Sequence, residues 1–481
     1  MSRPAIALPI ALPISVPMFA ATVRRIRSPI SSLTTSPATS PPPPSRSLHW
    51  LPLIPLLLPL LLSPCLHAAD GANKPDDPEP RLPPAGAAIT LLTLDEALRS
   101  AADSHPTVAL KLAEQHASEF SLDGARWQRW PGVSMSSSRG PLGHTLTELQ
   151  VEQPLWAGGR IEAGIQAAEA RVDAARSSVA EARQLVLERT VATFAEAMRL
   201  QARLAAAEAA IADYIKLSEM IERRVDSGIS PRSDGVNVRA RLQQAQGEQL
   251  QMRLQRQNAG TQLEVLVGRR FDELALPRTP RLTLASLDEA LDASLDQAPQ
   301  LARLSAEERV ADQAIAVSKS SLMPSLALRY QKIFGGGDVY PSNQLFVGVT
   351  FQPGSGLSSL TSISEAQQRR SGAIHSRETI RRDIVDRVRS LWHLAESARI
   401  EQALLQELVI STQQVYESCL RQYPAGRRSW LEVLLARRDA TQAQYALADA
   451  QWQRFSEVLR LDISSGRLAT RQFRPEYEVT E

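Results

Sequence analysis

The residues best suited to acid–base or metal chemistry are the histidines, and their placement supports neither. His49, His67, His105, His116, His144, His375 and His393 show no metal-ligand spacing, and no His-Glu-x-x-His run occurs. Gly335-Gly336-Gly337 could open a phosphate-cradling loop, but no Lys followed by Ser or Thr comes after it. Asp95 and Glu96 read as helix-start acids, which complement the positive end of a helix dipole. The two cysteines are Cys65 and Cys419. Leu62-Ser63-Pro64-Cys65 roughly resembles a lipidation site, although a proline directly before the cysteine disfavours acylation. No catalytic residue, cofactor or metal ligand is therefore expected, and the chain does not read as an enzyme.

What remains is built for length. Of the 32 prolines, nineteen lie in residues 1–84, and none falls between Pro154 and Pro231 or between Pro353 and Pro424. An interior proline costs a helix about 3 kcal/mol, so both spans are free to be single long helices. Ala, Leu, Gln, Glu and Arg dominate them, as in long helical segments. Residues 1–69 read as an export signal with an upstream extension: Arg24, Arg25 and Arg27, then the apolar run Leu51–Leu62, then Leu66-His67-Ala68-Ala69 as a small-residue cleavage site. Cleavage there would remove Cys65, so no internal disulfide is expected. That segment holds five arginines and no acid, so its removal turns a formal charge of +2 into −3. A nucleic-acid partner then loses its electrostatic support.

The chain contains itself twice. Thr93-Leu94-Asp95-Glu96-Ala97-Leu98 recurs as Ser286-Leu287-Asp288-Glu289-Ala290-Leu291, an offset of 193 that also carries Pro106 to Pro299 and Pro131 to Pro324. Further on the offset is 198, carrying Gly158 to Gly356 and Gly228 to Gly426. The five extra residues fall at the loop signal Gly335-Gly336-Gly337-Asp338. The expected layout is an export signal at 1–69 and a flexible mature N-terminus at 70–90. Repeats follow at 91–282 and 283–465, and a C-terminal tail at 466–481.

Each copy predicts a helix, two short strands and a long helical hairpin. Leu149 and Val151 alternate with Glu148, Gln150 and Glu152; Leu345, Val347, Val349 and Phe351 alternate with Gln344, Phe346, Gly348 and Thr350. One apolar and one polar face suit strands between lipid and water, or a half-buried soluble hairpin. In Arg160–Ser227 every seventh residue reads Ile165, Val172, Val179, Val186, Thr193, Leu200, Ala207, Tyr214, Ile221. Spacing of seven marks a helix packed along a supercoiled seam, and no globular core needs so long a rod. Four strands cannot close a barrel, and an open sheet edge is not tolerated in lipid. Several copies must then pool their strands around a shared hole, in a number that the strand count leaves open.

Val151-Glu152-Gln153-Pro154-Leu155-Trp156-Ala157-Gly158-Gly159-Arg160, with the duplicated layout, resembles the strand-to-helix junction of the TolC-like outer-membrane efflux family over about residues 90–465. The resemblance implies a mainly α chain with a small β part. Homotrimers would share a transmembrane β-barrel, four strands per protomer, and a coiled-coil α-helical barrel reaching into the periplasm. It also implies a periplasmic membrane-fusion adaptor and an inner-membrane transporter, with the ABC type favoured. Leu420–Leu434 and Gly356-Leu357-Ser358-Ser359-Leu360 are similar to the branch serving type I secretion of large adhesins. Multidrug efflux is the alternative within the family, and a periplasmic coiled-coil adaptor the alternative outside it. By the same resemblance the sites lie at the hairpin tips around Gly228 and Gly426. Tyr423 and Arg428 match residues that link the gate, Ser233 and Asp234 match their partners, and Glu432 matches an acidic entrance ring. Leu435 stands where a second acid can occur. Leu149, Val151, Leu345, Val347, Val349 and Phe351 would face outer-membrane lipid.

Overall fold

A computed structural model describes residues 90–139, 145–280, 282, 284–335 and 343–468. The expected signal, Cys65 and the 70–89 stretch lie outside these residues.

The duplication is visible element by element. Thr93 caps α1 (Leu94–Ser104) through a reciprocal pair with Glu96, the capping box. Ser286 likewise accepts from the Glu289 N–H at the start of α5 (Leu287–Gln297). Both helices stop one residue short of a proline, because the residue before proline is pushed to extended backbone: His105 has ψ 131° and Ala298 ψ 110°. Pro106 and Pro299 then open α2 (Pro106–Trp127) and α6 (Pro299–Ser320) at a position where the missing N–H costs nothing. Strands β2 (Gly132–Arg139) and β3 (Thr145–Trp156) follow in the first half, β5 (Ser325–Phe334) and β6 (Asn343–Thr350) in the second. The long hairpins are α3 (Arg160–Asp226) with α4 (Arg232–Val267), and α7 (Ser358–Gln422) with α8 (Trp430–Ser464). A short parallel ribbon of β1 (Leu91–Leu92) and β4 (Glu273–Leu274) ties the start of the first half to its end.

The helices form a single layer four wide. Toward the hairpin tips the row is α4–α3–α8–α7, and toward the sheet it is α2–α3–α6–α7. At about 1.5 Å per residue, the 67 residues of α3 span roughly 100 Å. Eight of its nine expected seam positions are buried; Thr193, the polar one, is half-buried. The core is therefore a chain of clusters strung along α3. One joins Leu98, Phe194, Leu263, Trp452 and Phe455 beneath α1, with Phe194 stacked on Phe455 at 6.5 Å. Another joins Tyr214, Ile221, Val238, Tyr416, Tyr423 and Trp430 at the tips. Arginines on α7 and α6 hold the sheet-side row: Arg377 meets Glu308 at 2.8 Å and Arg303 meets Glu181 at 2.9 Å. Among the described residues no helix is long and apolar enough to cross a membrane.

Candidate functional site: hairpin tips and a two-faced sheet

Both tips turn with the same backbone bonds. Gly228 donates to the Val225 carbonyl at 3.0 Å and Ile229 to Arg224 at 2.9 Å; Gly426 donates to Tyr423 at 2.9 Å and Arg427 to Gln422 at 3.2 Å. Gly228 (φ 72°) and Gly426 (φ 68°) take the left-handed conformation that ends a helix, which a side chain disfavours. Tyr423 is buried between the two hairpins. Its hydroxyl lies 3.3 Å from the Ser230 hydroxyl, the Arg224 guanidinium sits 5.0 Å from its ring centre, and its ring meets Trp430 at 5.0 Å. The Trp430 indole N–H crosses to the other hairpin and donates to the Asp234 carbonyl at 3.2 Å.

Within one chain these tip residues take other contacts beside the links expected between neighbouring hairpins. Among the described residues Tyr423 meets Ser230, no hydrogen bond or ion pair joins the Asp234 carboxylate to Tyr423 or Arg428, and Ser233 stands exposed on the first turn of α4. Arg428 turns to Glu432 on its own side at 2.8 Å. Glu432 is also the third helical residue of a capping box: its carboxylate accepts from the Ser429 N–H at 2.7 Å, while Ser429 Oγ accepts from the Glu432 N–H at 3.3 Å. The Ser429 backbone N–H, then Arg428, then the Ser429 hydroxyl hold the Glu432 carboxyl below the usual carboxylate range. Ser429-Trp430-Leu431-Glu432 is a legible capping signature, and the acidic-ring reading overlooked it. Trp430, Ser230 and Arg224 were missed because their meeting depends on how α3 packs on α8.

Deeper in the same cluster, Arg437 is only 2% exposed; its Nε lies 3.0 Å from the Asp213 carboxylate, close enough to pair in charge but out of line for a hydrogen bond, and its guanidinium lies over the Tyr416 ring. Burial pushes the Tyr416 hydroxyl up to about 12.

The four strands run in the order β2–β3–β5–β6, all antiparallel. Directly opposed residues share a face, so the register sorts the side chains. Val133, Val151, Tyr330 and Leu345 form one row and Met135, Leu149, Lys332 and Asn343 the next; Gln153, Leu328 and Val347, then Leu326 and Val349, continue that face. The other face carries Glu152–Arg329 at 2.8 Å and Gln331–Glu148 at 2.7 Å. Leu149 and Val151 are half-buried, and Leu345, Val347 and Val349 are exposed. Phe351 is exposed too but lies one residue past the end of β6, so it is not a strand residue. Val133 and Met135 were missed because Ser134, Ser136, Ser137 and Ser138 dilute the apolar alternation of β2.

A duplicated long-helix layer joined to a four-stranded sheet with one apolar and one polar face defines an outer-membrane channel protomer of the TolC type. The chain belongs to the outer membrane efflux protein family, which it matches over residues 97–269 and 290–467. It is an outer-membrane efflux or export channel, extending into the periplasm. It is 22% identical over 365 residues to the alkaline protease secretion protein AprF of Pseudomonas aeruginosa, covering 71% of this chain and 75% of that one. It is 24% identical over 323 residues to the outer membrane protein TolC of Vibrio cholerae, covering 63% and 73%. The crystal structure of the outer membrane protein VceC from Vibrio cholerae superposes with a TM-score of 0.66 at 18% identity, over 78% of this chain and 96% of VceC.

Proposed function

We propose that three copies close into one conduit that exports protein across the outer membrane, with large adhesin-type proteins as cargo. The observation that carries the conduit is the match between the two open edges of the helical layer. On α4, Leu250 and Leu254 are 58% and 54% exposed; on α7, Leu404 and Ile400 are 67% and 50% exposed. Leu250 lies eighteen residues from Arg232, and Leu404 eighteen from Gln422; Leu254 and Ile400 each lie twenty-two from the same ends. Both edges thus present apolar side chains at equal heights above the tips, and α4 of one copy fits α7 of the next. The same rotation brings β6 against β2 of the neighbour, which pairs the sheet edges that lipid forbids. Three such sheets make a twelve-stranded barrel, its apolar face toward lipid and the Glu152–Arg329 face inward.

In this arrangement the tips of α3–α4 and α7–α8 form the periplasmic entrance, held shut by Tyr423, Ser230 and Trp430 and bordered by Arg428 and Glu432. An adaptor and an inner-membrane transporter of the ABC type would meet it there. Protein secretion is favoured by the similarity to AprF and by the Leu420–Leu434 segment. Small-molecule efflux is the second reading, since a Brucella suis protein named outer membrane efflux protein BepC matches at the same 22% identity. Replacing Leu250 and Leu404 together by cysteine tests the ring: oxidation should yield a ladder ending at three chains. A product that stays monomeric would end the proposal. Secretion of a co-expressed adhesin with its transporter and adaptor, against drug susceptibility of the deletion strain, separates the two cargo readings.

A further inference from the structure

The elbow between α2 and β2 carries a feature that neither the gate nor the passage uses. Arg126-Trp127-Gln128-Arg129-Trp130 leads into Pro131, and an open recess of about 480 Å³ is lined by Arg126, Arg129, Trp130, Gln153, Ile165 and Glu169. Gln153 fixes where this recess lies. It pairs in register with Leu328, and so belongs to the apolar face of the sheet, at the end nearest the helices. Its amide donates to the Arg129 carbonyl at 2.9 Å, which ties the elbow to that face. Trp130 is 64% exposed and lies 6.5 Å from the equally exposed Trp127. Arg126 spends its charge on Asp123 at 3.4 Å and Glu169 at 3.5 Å. Arg129 has no ion-pair partner among the described residues.

The second half shows that the fold does not require these residues. At the offset of 193, Lys319 stands for Arg126, Leu322 for Arg129 and Met323 for Trp130. Met323 packs on the backbone at Gly158, where an added methyl would come within 2.7 Å of its Cβ. That elbow has neither a cation nor a ring at these two positions, Leu322 being half-buried and Met323 53% exposed; the first is an exposed cation beside an exposed indole. Indoles prefer the level where headgroups meet acyl chains, and guanidinium is the side chain that best matches a phosphate.

We propose that the first elbow is a headgroup site for anionic phospholipid in the leaflet nearer the helices, Arg129 contacting the phosphate and Trp130 resting at the acyl boundary. The proposal rests on the sheet being set in a membrane with its apolar face outward. The test uses the full chain in nanodiscs of mixed phosphatidylglycerol and phosphatidylcholine, extracted into mild detergent, with the retained lipids counted by native mass spectrometry. Phosphatidylglycerol should be retained over phosphatidylcholine by about fivefold, the weight of one basic residue at a charged surface. Arg129→Gln should bring the two near parity, and Arg129→Lys should keep most of the preference. Parity in a wild-type protein that inserts and conducts would overturn this inference alone, whereas failure to insert would overturn the membrane reading beneath it. Loss of the preference in excess inorganic phosphate would make the site one for soluble anions, and a split oligomer with the preference intact would make Arg129 a subunit contact. Either result overturns the lipid assignment.

Discussion

At the scale of the residue, the proposed entrance is bordered by a charge that is already well partnered. Glu432 serves three partners at once, so Glu432→Gln should leave assembly intact, since glutamine can still accept in a capping box. The loss of its charge beside Arg428 should shift ion selectivity in planar bilayers toward anions; unchanged selectivity would remove Glu432 from the entrance. Its pH behaviour follows from the direction of its shift. A carboxyl held below its unfolded value contributes fully above the ordinary carboxylate range, near ~4.3, and loses that contribution only as the pH falls through the lower folded value. Selectivity should therefore persist through ~4.3 and change below it, as reversal potentials measured across an acid series will report. Arg437 is a different case, because its charge is sealed inside the tip cluster. Arg437→Ala should destabilise each protomer chiefly through lost packing on Tyr416, since Asp213 is 30% exposed and keeps access to water, visible as a lowered midpoint of heat unfolding followed by circular dichroism. The sequence names Tyr423, Arg428 and Asp234 as tip residues, but not their partners. Side-chain pairing across two hairpins depends on helix rotation, which a spacing of seven determines only to within a neighbouring residue.

At the scale of the element, alternation and register make the sheet readable. Val347→Arg on the apolar face should cost about 2–4 kcal/mol if it lies near the bilayer midplane, and should cut the yield of folded protein in outer-membrane fractions. Gln344→Arg, three residues back along the same strand and on the polar face, should be tolerated. Equal yields for both would show that the faces are misassigned. Most of the helical architecture could be anticipated because it is punctuated: Pro106 and Pro299, Gly228 and Gly426, and the acid pairs Asp95–Glu96 and Asp288–Glu289 each stand at an element boundary in both halves. Heptad positions were legible because most hold Ile, Val or Leu; Thr193 is half-buried, its hydroxyl donating to the Arg189 carbonyl at 2.9 Å. What escaped was local and polar. β2 is too rich in serine to show its apolar face, and Phe351 continues the alternation of β6 by composition after the backbone has left the ladder.

At the scale of the whole molecule, one protomer is an incomplete object: its helical layer and its sheet both end in edges that water or lipid should not touch. Leu404→Glu should therefore leave the fold of a single chain intact and shift purified protein from oligomer to monomer, as light scattering will register. The layer also divides labour by the way its rods are cut. α3 and α7 run unbroken through both rows, whereas α4 stops at Gly268 and α8 near Gly466, each with a left-handed residue (φ 75° and 71°), short of the rows that carry the strands. In the proposed conduit a twist of the unbroken pair would be carried up to the sheet by their own backbones, whereas displacement of α4 and α8 at the tips would not, because both end below it. On the proposed reading, aperture at the base and integrity of the wall would fall to separate rods, so that the channel would dilate below without loosening its seal above.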